Sequence, residues 1–138
     1  MVLAAADAAG IEREDLVLVL DHDLVVQADA RLLQEALERL LVNARVHGSM
    51  PVTVTGRSRA ESVELAITDE GPGLRPAFAA SAFERFTRNA PASTPGMGVG
   101  LAIVQSIVDT HHATVSYRSH GDGGSFVVCF ARDGVLHD

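Results

Sequence analysis

Three glycines at alternate positions, Gly96, Gly98 and Gly100, lead directly into the apolar segment Leu-Ala-Ile-Val at 101–104. A backbone without side chains can come close to a polyphosphate, and the free amides at the start of a helix attract anions. The segment therefore predicts a phosphate-binding turn at the start of a helix. A glycine-rich turn that only begins a helix is the alternative that this segment alone leaves open.

A second candidate lies on a predicted helix, where Arg39, Asn43 and His47 follow one another at intervals of four residues. At about 100° per residue, these side chains form a single ridge of the helix. The amide oxygen of Asn43 is a suitable ligand for Mg²⁺ that also carries phosphate oxygens. From the helix alone, an ordinary exposed asparagine is the simpler interpretation.

A carboxylate, Asp69, follows a predicted strand and precedes the turn Glu70-Gly71-Pro72-Gly73. A carboxylate at the end of a buried strand costs free energy unless it is paired, and the exocyclic amine of adenine would be a suitable partner. The glycines of the turn would let the base lie close to the backbone. A turn-forming aspartate before Gly-Pro-Gly explains the same residues equally well.

Two further segments give weaker indications. Phe83 and Phe86 would anchor one helical turn to the core, and packing alone explains them. Arg85 and Arg88 could contact phosphates or a partner protein, although solvated arginines are commoner. Ser125 follows a glycine-rich turn and could place a hydroxyl near a bound base, whereas a plain strand start explains it at least as well.

The elements that position these residues follow from hydrophobic periodicity. Apolar residues at spacings of three and four predict a helix from about Asp29 to His47, ended by Gly48, and a second helix from about Gly98 to Thr110. A short helix is expected at 2–9. Strands are expected at 16–20, 24–26, 52–55, 63–68, 114–117 and 125–130, with connections at 21–23, 57–61 and 121–124. This pattern predicts an α/β two-layer sandwich, in which helices cover one face of a mixed, mostly antiparallel sheet of about five strands.

Composition limits the class of function. The chain has 138 residues, of which 47% are hydrophobic, and a mean hydropathy of +0.18, so it can build the core of a single domain. A net charge of −7 argues against a nucleic-acid partner. The single Cys129 cannot form an intrachain disulfide, which favours the cytoplasm. No apolar run approaches the ~20 residues that span a bilayer, so this segment is not expected to contact a membrane.

Taken in order, these segments resemble the catalytic, ATP-binding domain of sensor histidine kinases. That domain belongs to the ATPase superfamily that includes DNA gyrase, the heat-shock chaperone ATPases and MutL. The resemblance covers about residues 14–131 of a single domain expected to span 1–138. The N box matches residues 40–44, the first glycine box 69–73, the F box 83–86, the second glycine box 96–101 and the last glycine element 123–126.

The resemblance implies a Bergerat-type pocket that holds ATP and Mg²⁺ between the helices and the sheet. Asn43 would bind Mg²⁺ and take part in catalysis with Arg39, and Asp69 would accept a hydrogen bond from the adenine amine. Residues 74–97 would form a lid over the nucleotide. The further nucleotide contacts that the resemblance implies are His47, Gly71, Gly73, Leu74, Phe86, Arg88, Gly96, Gly98, Val99, Gly100, Leu101 and Ser125.

Two positions depart from the family pattern. Arg39 stands where histidine kinases usually carry another asparagine, and Val46 stands where they often carry lysine. Arg39 could contact phosphate directly, or pair with Glu35 one turn earlier. Hydrolysing members of the superfamily, and the serine kinases that bind sigma factors, carry a glutamate at this position. Because arginine cannot accept a proton at neutral pH, gyrase-like hydrolysis is not expected.

The resemblance implies transfer of the ATP γ-phosphate to a histidine on a dimerisation and phosphoacceptor domain, with a response regulator downstream. No His-Glu or His-Asp pair lies on a long amphipathic helix before the N box, so the acceptor is expected elsewhere in a longer chain or in a separate protein. His111 and His112 follow a helix end and are expected at the surface. Two alternatives stay open: a nucleotide-sensing module with little transfer activity, and an anti-sigma-type serine kinase.

Overall fold

The computed structural model describes residues 1–22, 24–70, 97–120 and 123–131. Within these ranges the chain forms three α-helices, one 3₁₀-helix and five strands. In chain order these are α1 (Val2–Ala9), the 3₁₀-helix (Arg13–Asp15), β1 (Leu16–Leu20), α2 (Ala30–His47), β2 (Val52–Ser58), β3 (Ser62–Asp69), α3 (Met97–Thr110), β4 (Thr114–His120) and β5 (Gly123–Ala131).

The five strands form one mixed sheet in the order β1-β2-β3-β5-β4, in which β1 is parallel to β2 and the other pairs are antiparallel. Successive residues of a strand point to opposite faces, and one face of the sheet is apolar. Its buried side chains are Val52, Val54, Val63, Leu65, Ile67, Phe126, Val128 and Phe130. The helices α2 and α3 cover this face, and α1 packs on α2. The predicted two-layer sandwich is therefore confirmed.

The helix α2 carries most of the candidate residues, and its sequence explains its bounds. The side chain of Asp29 accepts a hydrogen bond from the Leu32 amide at 3.1 Å and caps the first turn. The Gly48 amide donates to the Ala44 carbonyl at 3.0 Å and ends the helix. The apolar residues at spacings of three and four, from which this helix was predicted, form a stripe that is buried in the structure: Leu33, Leu37, Leu40, Leu41 and Ala44.

The prediction of a strand at residues 24–26 is wrong. After β1 the Asp21 amide still donates to the Gly56 carbonyl at 3.0 Å, but the Leu24 amide then turns back onto the Asp21 carbonyl at 3.4 Å. Leu24 packs over Gly56, where an added Cβ would lie 2.5 Å from Leu24 Cδ2. Leu24 and Val26 thus contribute side chains to the core without joining the sheet.

The strand β1 has its predicted bounds, and the other four strands are longer than predicted. Residues 57 and 58 belong to β2, so the connection to β3 shortens to 59–61 and is closed by a hydrogen bond from the Arg59 amide to the Ser62 carbonyl at 2.8 Å. The strands β4 and β5 leave only 121–122 between them, and these two residues lie outside the described ranges. Among the described helices, none is both long and apolar enough to cross a membrane.

Candidate functional site

Three polar or charged side chains are buried among the described residues: Asn43, Asp69 and Ser125, with exposed fractions of 8%, 9% and 7%. Burying a polar group costs about 1–3 kcal/mol unless its hydrogen bonds are replaced, so such groups mark either a structural network or a binding site. All three residues were singled out from the sequence. The contacts of each residue indicate whether it belongs to a structural network or to a binding site.

Asn43 lies on α2, one turn after Arg39 and one turn before His47, the last residue of the helix. Its side chain is buried, so the interpretation of an ordinary exposed asparagine is wrong. The amide offers an uncharged oxygen at the edge of the apolar stripe. Only the backbone of His47 is described, and it continues the helix as predicted.

Arg39 forms the ion pair that its spacing from Glu35 predicted. Arg39 Nη2 lies 3.4 Å from Glu35 Oε2, and the two side chains are 39% and 41% exposed. The Nε of Arg39 is nevertheless buried and has no acceptor among the described residues. Buried donors without an acceptor are rare in proteins. The Nε–H group of Arg39 can therefore donate a hydrogen bond to an oxygen from outside the described residues. A groove of about 440 Å³ along α2 is lined by Ala30, Arg31, Gln34, Glu35, Glu38 and Arg39.

Asp69 is the last residue of β3 and belongs to the set of β3 residues that face the helices. Its carboxyl group packs against Gly48: a Cβ built on Gly48 would lie 2.5 Å from Asp69 Oδ1, 2.7 Å from Oδ2 and closer still to Cγ. The amide of Glu70 donates to the Ser49 carbonyl at 3.0 Å. This hydrogen bond joins the end of β3 to the loop after α2. Asp69 therefore lies beside the C-terminal end of α2, the helix that carries Asn43.

The structure does not bring the Ser125 side chain to Asp69. Ser125 pairs with Thr68 across β3 and β5, and its hydroxyl lies 2.5 Å from the Thr68 hydroxyl. Asp69 pairs instead with Gly124. Because neighbouring residues of a strand point to opposite faces, the Ser125 hydroxyl lies on the face away from the helices. Its hydrogen bond with Thr68 accounts for its burial, as expected of a plain strand residue.

Tyr117 on β4 reaches the space beside Asp69 and was not identified from the sequence. Its ring packs edge-on against Phe126 with centroids 4.9 Å apart. A Cβ on Gly124 would lie 2.5 Å from Tyr117 Cζ and closer still to the hydroxyl. The phenol therefore occupies the place of a side chain at Gly124, the residue opposite Asp69. The glycine at 124 was the available signal, but only the strand register connects it with Tyr117.

The second glycine segment begins a helix as predicted. The helix α3 starts at Met97, so Gly98 and Val99 lie in its first turn, where the backbone amides have no partner within the helix, and Gly100 follows directly. Leu101 is fully buried and belongs to the hydrophobic core. Because α3 packs against α2, the glycine turn starts a helix that is held against the one carrying Asn43.

His111 links the ends of these two helices. Its Nε2 accepts a hydrogen bond from the Asp29 amide at 3.0 Å, and its Nδ1 lies 2.8 Å from the Ile107 carbonyl. Together these partners require a neutral ring that carries its proton on Nδ1. The side chain is half-buried, so the expectation of surface histidines holds for His112 alone.

The other predicted contacts lie outside the described residues. They are Gly71, Gly73, Leu74, Phe86, Arg88 and Gly96, together with Phe83, Arg85 and the predicted lid at 74–97 apart from Met97.

A metal at this site would share its ligands with a nucleotide. The described residues contain no group of three His, Cys, Asp or Glu side chains that could hold a metal ion. Mg²⁺ is commonly bound by one or two protein ligands, with phosphate oxygens and water completing its shell, and the single amide of Asn43 fits that arrangement. Arg39, one turn away on the same ridge, adds a positive charge that suits a phosphate.

Comparison with known proteins identifies the family. Residues 28–134 match the family described as histidine kinase-, DNA gyrase B-, and HSP90-like ATPase. The chain is 37% identical over 112 residues to the sensor histidine kinase component HK1 of Mycobacterium tuberculosis, which covers 80% of this chain and 67% of that protein. It is 38% identical over 132 residues to the sensor-like histidine kinase SenX3 of the same organism, where it spans 31% of that protein's length. Further sensor kinases are matched over 12–30% of their length.

Solved structures agree. The mycobacterial sensor histidine kinase MprB superposes with a TM-score of 0.69 at 27% identity, over 94% of this chain and 92% of that chain. The catalytic domain of the histidine kinase ThkA superposes with a TM-score of 0.76 at 18% identity, over 95% and 90%, and so shares the fold. The chain belongs to the histidine kinase-, DNA gyrase B- and HSP90-like ATPase family, and it is the ATP-binding kinase domain of a two-component sensor histidine kinase.

Proposed function

We propose that this domain binds ATP with Mg²⁺ and presents the γ-phosphoryl group to a histidine of a phosphoacceptor and dimerisation domain. That histidine belongs to a longer form of this chain or to a separate protein, and a response regulator then receives the phosphoryl group. The main support is the burial of Asn43 and Asp69, at positions where a purely structural core would carry apolar side chains. We assign this activity to the cytoplasm, where ATP is available.

Asp69 reads the base in this proposal. An ionised carboxylate only accepts hydrogen bonds, so it pairs with the exocyclic amine of adenine. Guanine and hypoxanthine carry a carbonyl oxygen at the position of that amine, and the carboxylate repels this oxygen. A hydrogen bond to a charged group contributes about 1.5–3 kcal/mol. This corresponds to roughly 10- to 100-fold in affinity. Gly71 and Gly73 leave room for the base, and His47 and Leu74 border it.

Asn43, Arg39 and the amides of Gly98 and Gly100 hold the triphosphate. Bound Mg²⁺ compensates the charge of the phosphate oxygens, with Asn43 as its protein ligand. Arg39 directs its buried Nε–H to a phosphate oxygen, which gives that donor the acceptor that the described residues do not provide. Phosphoryl transfer depends mainly on positioning and charge compensation, so the domain needs no nucleophile of its own.

The acceptor imidazole is the nucleophile. A bond forms between its ring nitrogen and the γ-phosphorus while the bond from that phosphorus to the β,γ-bridging oxygen breaks. ADP leaves, and the ring proton passes to solvent. Arg39 stabilises the charge of the transferring group, but a guanidinium cannot take a proton from water, so hydrolysis of ATP is expected to be slow.

Transfer of label from radioactive ATP to a dimerisation domain that carries the acceptor histidine tests the proposal. The expected product loses its label in acid, because phosphohistidine is acid-labile, and Asn43→Ala reduces its formation. Nucleotide binding without transfer in the unaltered domain would reduce the assignment to a nucleotide-sensing module. Acid-stable label on a serine would indicate a serine kinase, which the similarity to sensor histidine kinases does not favour.

A further inference from the structure

We propose that Gly48 is a positioning residue for base recognition: because it lacks a side chain, the Asp69 carboxyl group can occupy the place from which it reads adenine. The inference rests on the proposed role of Asp69. It goes beyond that role by making the base preference depend on a residue in the loop after α2.

The backbone at position 48 does not itself require glycine. Gly48 has φ −109° and ψ −158°, an extended conformation that every residue type adopts. Gly10, which ends α1, differs in this respect, because its φ of 81° lies in the left-handed region that favours glycine. The reason for a glycine at 48 therefore lies in the space around it.

Asp69 fills that space. The three heavy atoms nearest to a Cβ built on Gly48 are the Cγ and both oxygens of the Asp69 carboxyl group, all within 2.7 Å, whereas real Cβ atoms essentially never come within 3.0 Å of such atoms. A side chain at 48 therefore requires either the carboxyl group or the backbone to move.

The backbone is held on both sides of this contact. The Gly48 amide is bonded to the Ala44 carbonyl at 3.0 Å, and the Glu70 amide is bonded to the Ser49 carbonyl at 3.0 Å. The carboxyl group is the more easily displaced partner, because only rotation of a short side chain is needed. Hydrogen bonds weaken steeply as their geometry departs from the optimum, so a displaced carboxylate loses the adenine amine.

Gly48→Ala should therefore lower the affinity for ATP at least tenfold. It should change the affinity for ITP less than threefold, because ITP carries a carbonyl oxygen in place of the amine and gains nothing from Asp69. The ratio of the two affinities is a readout that a general structural defect does not alter. Titration calorimetry with ATP and ITP measures it in the unaltered domain, in Gly48→Ala, in Asp69→Asn and in the double variant.

Gly56→Ala is the matched control. An added Cβ there would also be crowded, at 2.5 Å from Leu24 Cδ2 and 2.9 Å from Leu20 Cδ2, but by the ends of leucine side chains, and Gly56 pairs with Leu65, four residues before Asp69 on β3. It should change the melting temperature and leave the ATP-to-ITP ratio within twofold. In the Asp69→Asn background, Gly48→Ala should change the ratio by less than twofold, since both substitutions act on the same contact.

Each outcome has a distinct meaning. If Asp69→Asn abolishes the ATP preference and Gly48→Ala leaves it within twofold, the inference is wrong and the proposed function stands. If Asp69→Asn leaves the preference unchanged, the role of Asp69 itself is refuted. Equal losses for ATP and ITP in Gly48→Ala would also overturn the inference, because they indicate a structural defect.

A second variant covers the case in which Gly48→Ala does not fold. Adding Asp69→Ala removes all three crowded atoms, so the double variant should fold and melt near the temperature of Asp69→Ala alone. Continued failure to fold would show that the new methyl group collides elsewhere, and the inference would be abandoned.

Discussion

Replacing Arg39 with alanine should separate stability from phosphate binding. The described partner of Arg39 is Glu35, at 3.4 Å between side chains that are about 40% exposed. A helical i,i+4 pair of this kind contributes about 0.3–0.5 kcal/mol. Removing the buried Nε, which has no acceptor among the described residues, acts in the opposite direction. The second effect, about 1–3 kcal/mol, is the larger of the two. The free energy of unfolding of Arg39→Ala should therefore not fall, and its Tm should stay the same or rise by a few degrees.

Nucleotide affinity, by contrast, should fall. A charge-assisted hydrogen bond to phosphate contributes about 1.5–3 kcal/mol, which predicts a loss of roughly 10- to 100-fold in ATP affinity. If Arg39 reaches the γ-phosphate, ADP affinity should fall by less than about threefold. The loss for ATP should be greatest without Mg²⁺, because the metal otherwise offsets part of the same charge.

Calorimetric titration with ATP and ADP, each with and without Mg²⁺, measures these changes, and thermal unfolding measures stability. Glu35→Gln breaks the ion pair and keeps Arg39, so it should bind ATP at least as tightly as the unaltered domain. Arg31→Ala removes another arginine of the same groove and should bind ATP within about twofold of normal. Normal ATP binding by Arg39→Ala, or a stability loss above about 1 kcal/mol, would show that Arg39 is structural and refute the phosphate role.

Four further substitutions test other parts of the site. Asp69→Asn should lower ATP affinity at least about tenfold by calorimetry while the domain stays folded, and unchanged affinity would remove the base assignment. Asn43→Ala should abolish most of the gain in ATP affinity that Mg²⁺ provides, with little effect in EDTA. Leu41→Ala empties a fully buried position on α2 and should cost about 2–5 kcal/mol in urea unfolding. His111→Ala should cost about 1–2 kcal/mol and raise the amide exchange rate of Asp29, whose N–H it frees.

The sequence was sufficient to place the helices because their signals are local. Asp29 caps α2 and Gly48 ends it, so the predicted and observed bounds agree within one residue. The strand expected at 24–26 shows the limit of the same reasoning. A short apolar run indicates that some of its side chains pack on the core, but it does not show whether a neighbouring strand supplies hydrogen bonds. Leu24 is half-buried by packing on Gly56 instead.

Within the site, the buried polar residues could be predicted from the sequence, but contacts that depend on strand pairing could not. Asn43 and Asp69 could be found because polar residues interrupt apolar patterns at positions that the fold then buries. Ser125 was misplaced because its face depends on the pairing of β5, and a shift of one residue exchanges the faces of a strand. Gly48 and Tyr117 could not be found, because their contacts join segments far apart in the chain.

Asp69 is bordered by two glycines that serve different purposes. At Gly48 the carboxyl group itself occupies the place of a side chain, whereas at Gly124 the phenol of Tyr117 does so. In the proposed function, base recognition depends on the junction of the sheet with the loop after α2. Phosphate binding depends there on α2 and α3, whose ends His111 links. Because different residues are proposed to hold the base and the phosphates, substitutions at Gly48 should change which base is bound, and substitutions at Arg39 should change which phosphate chain is bound.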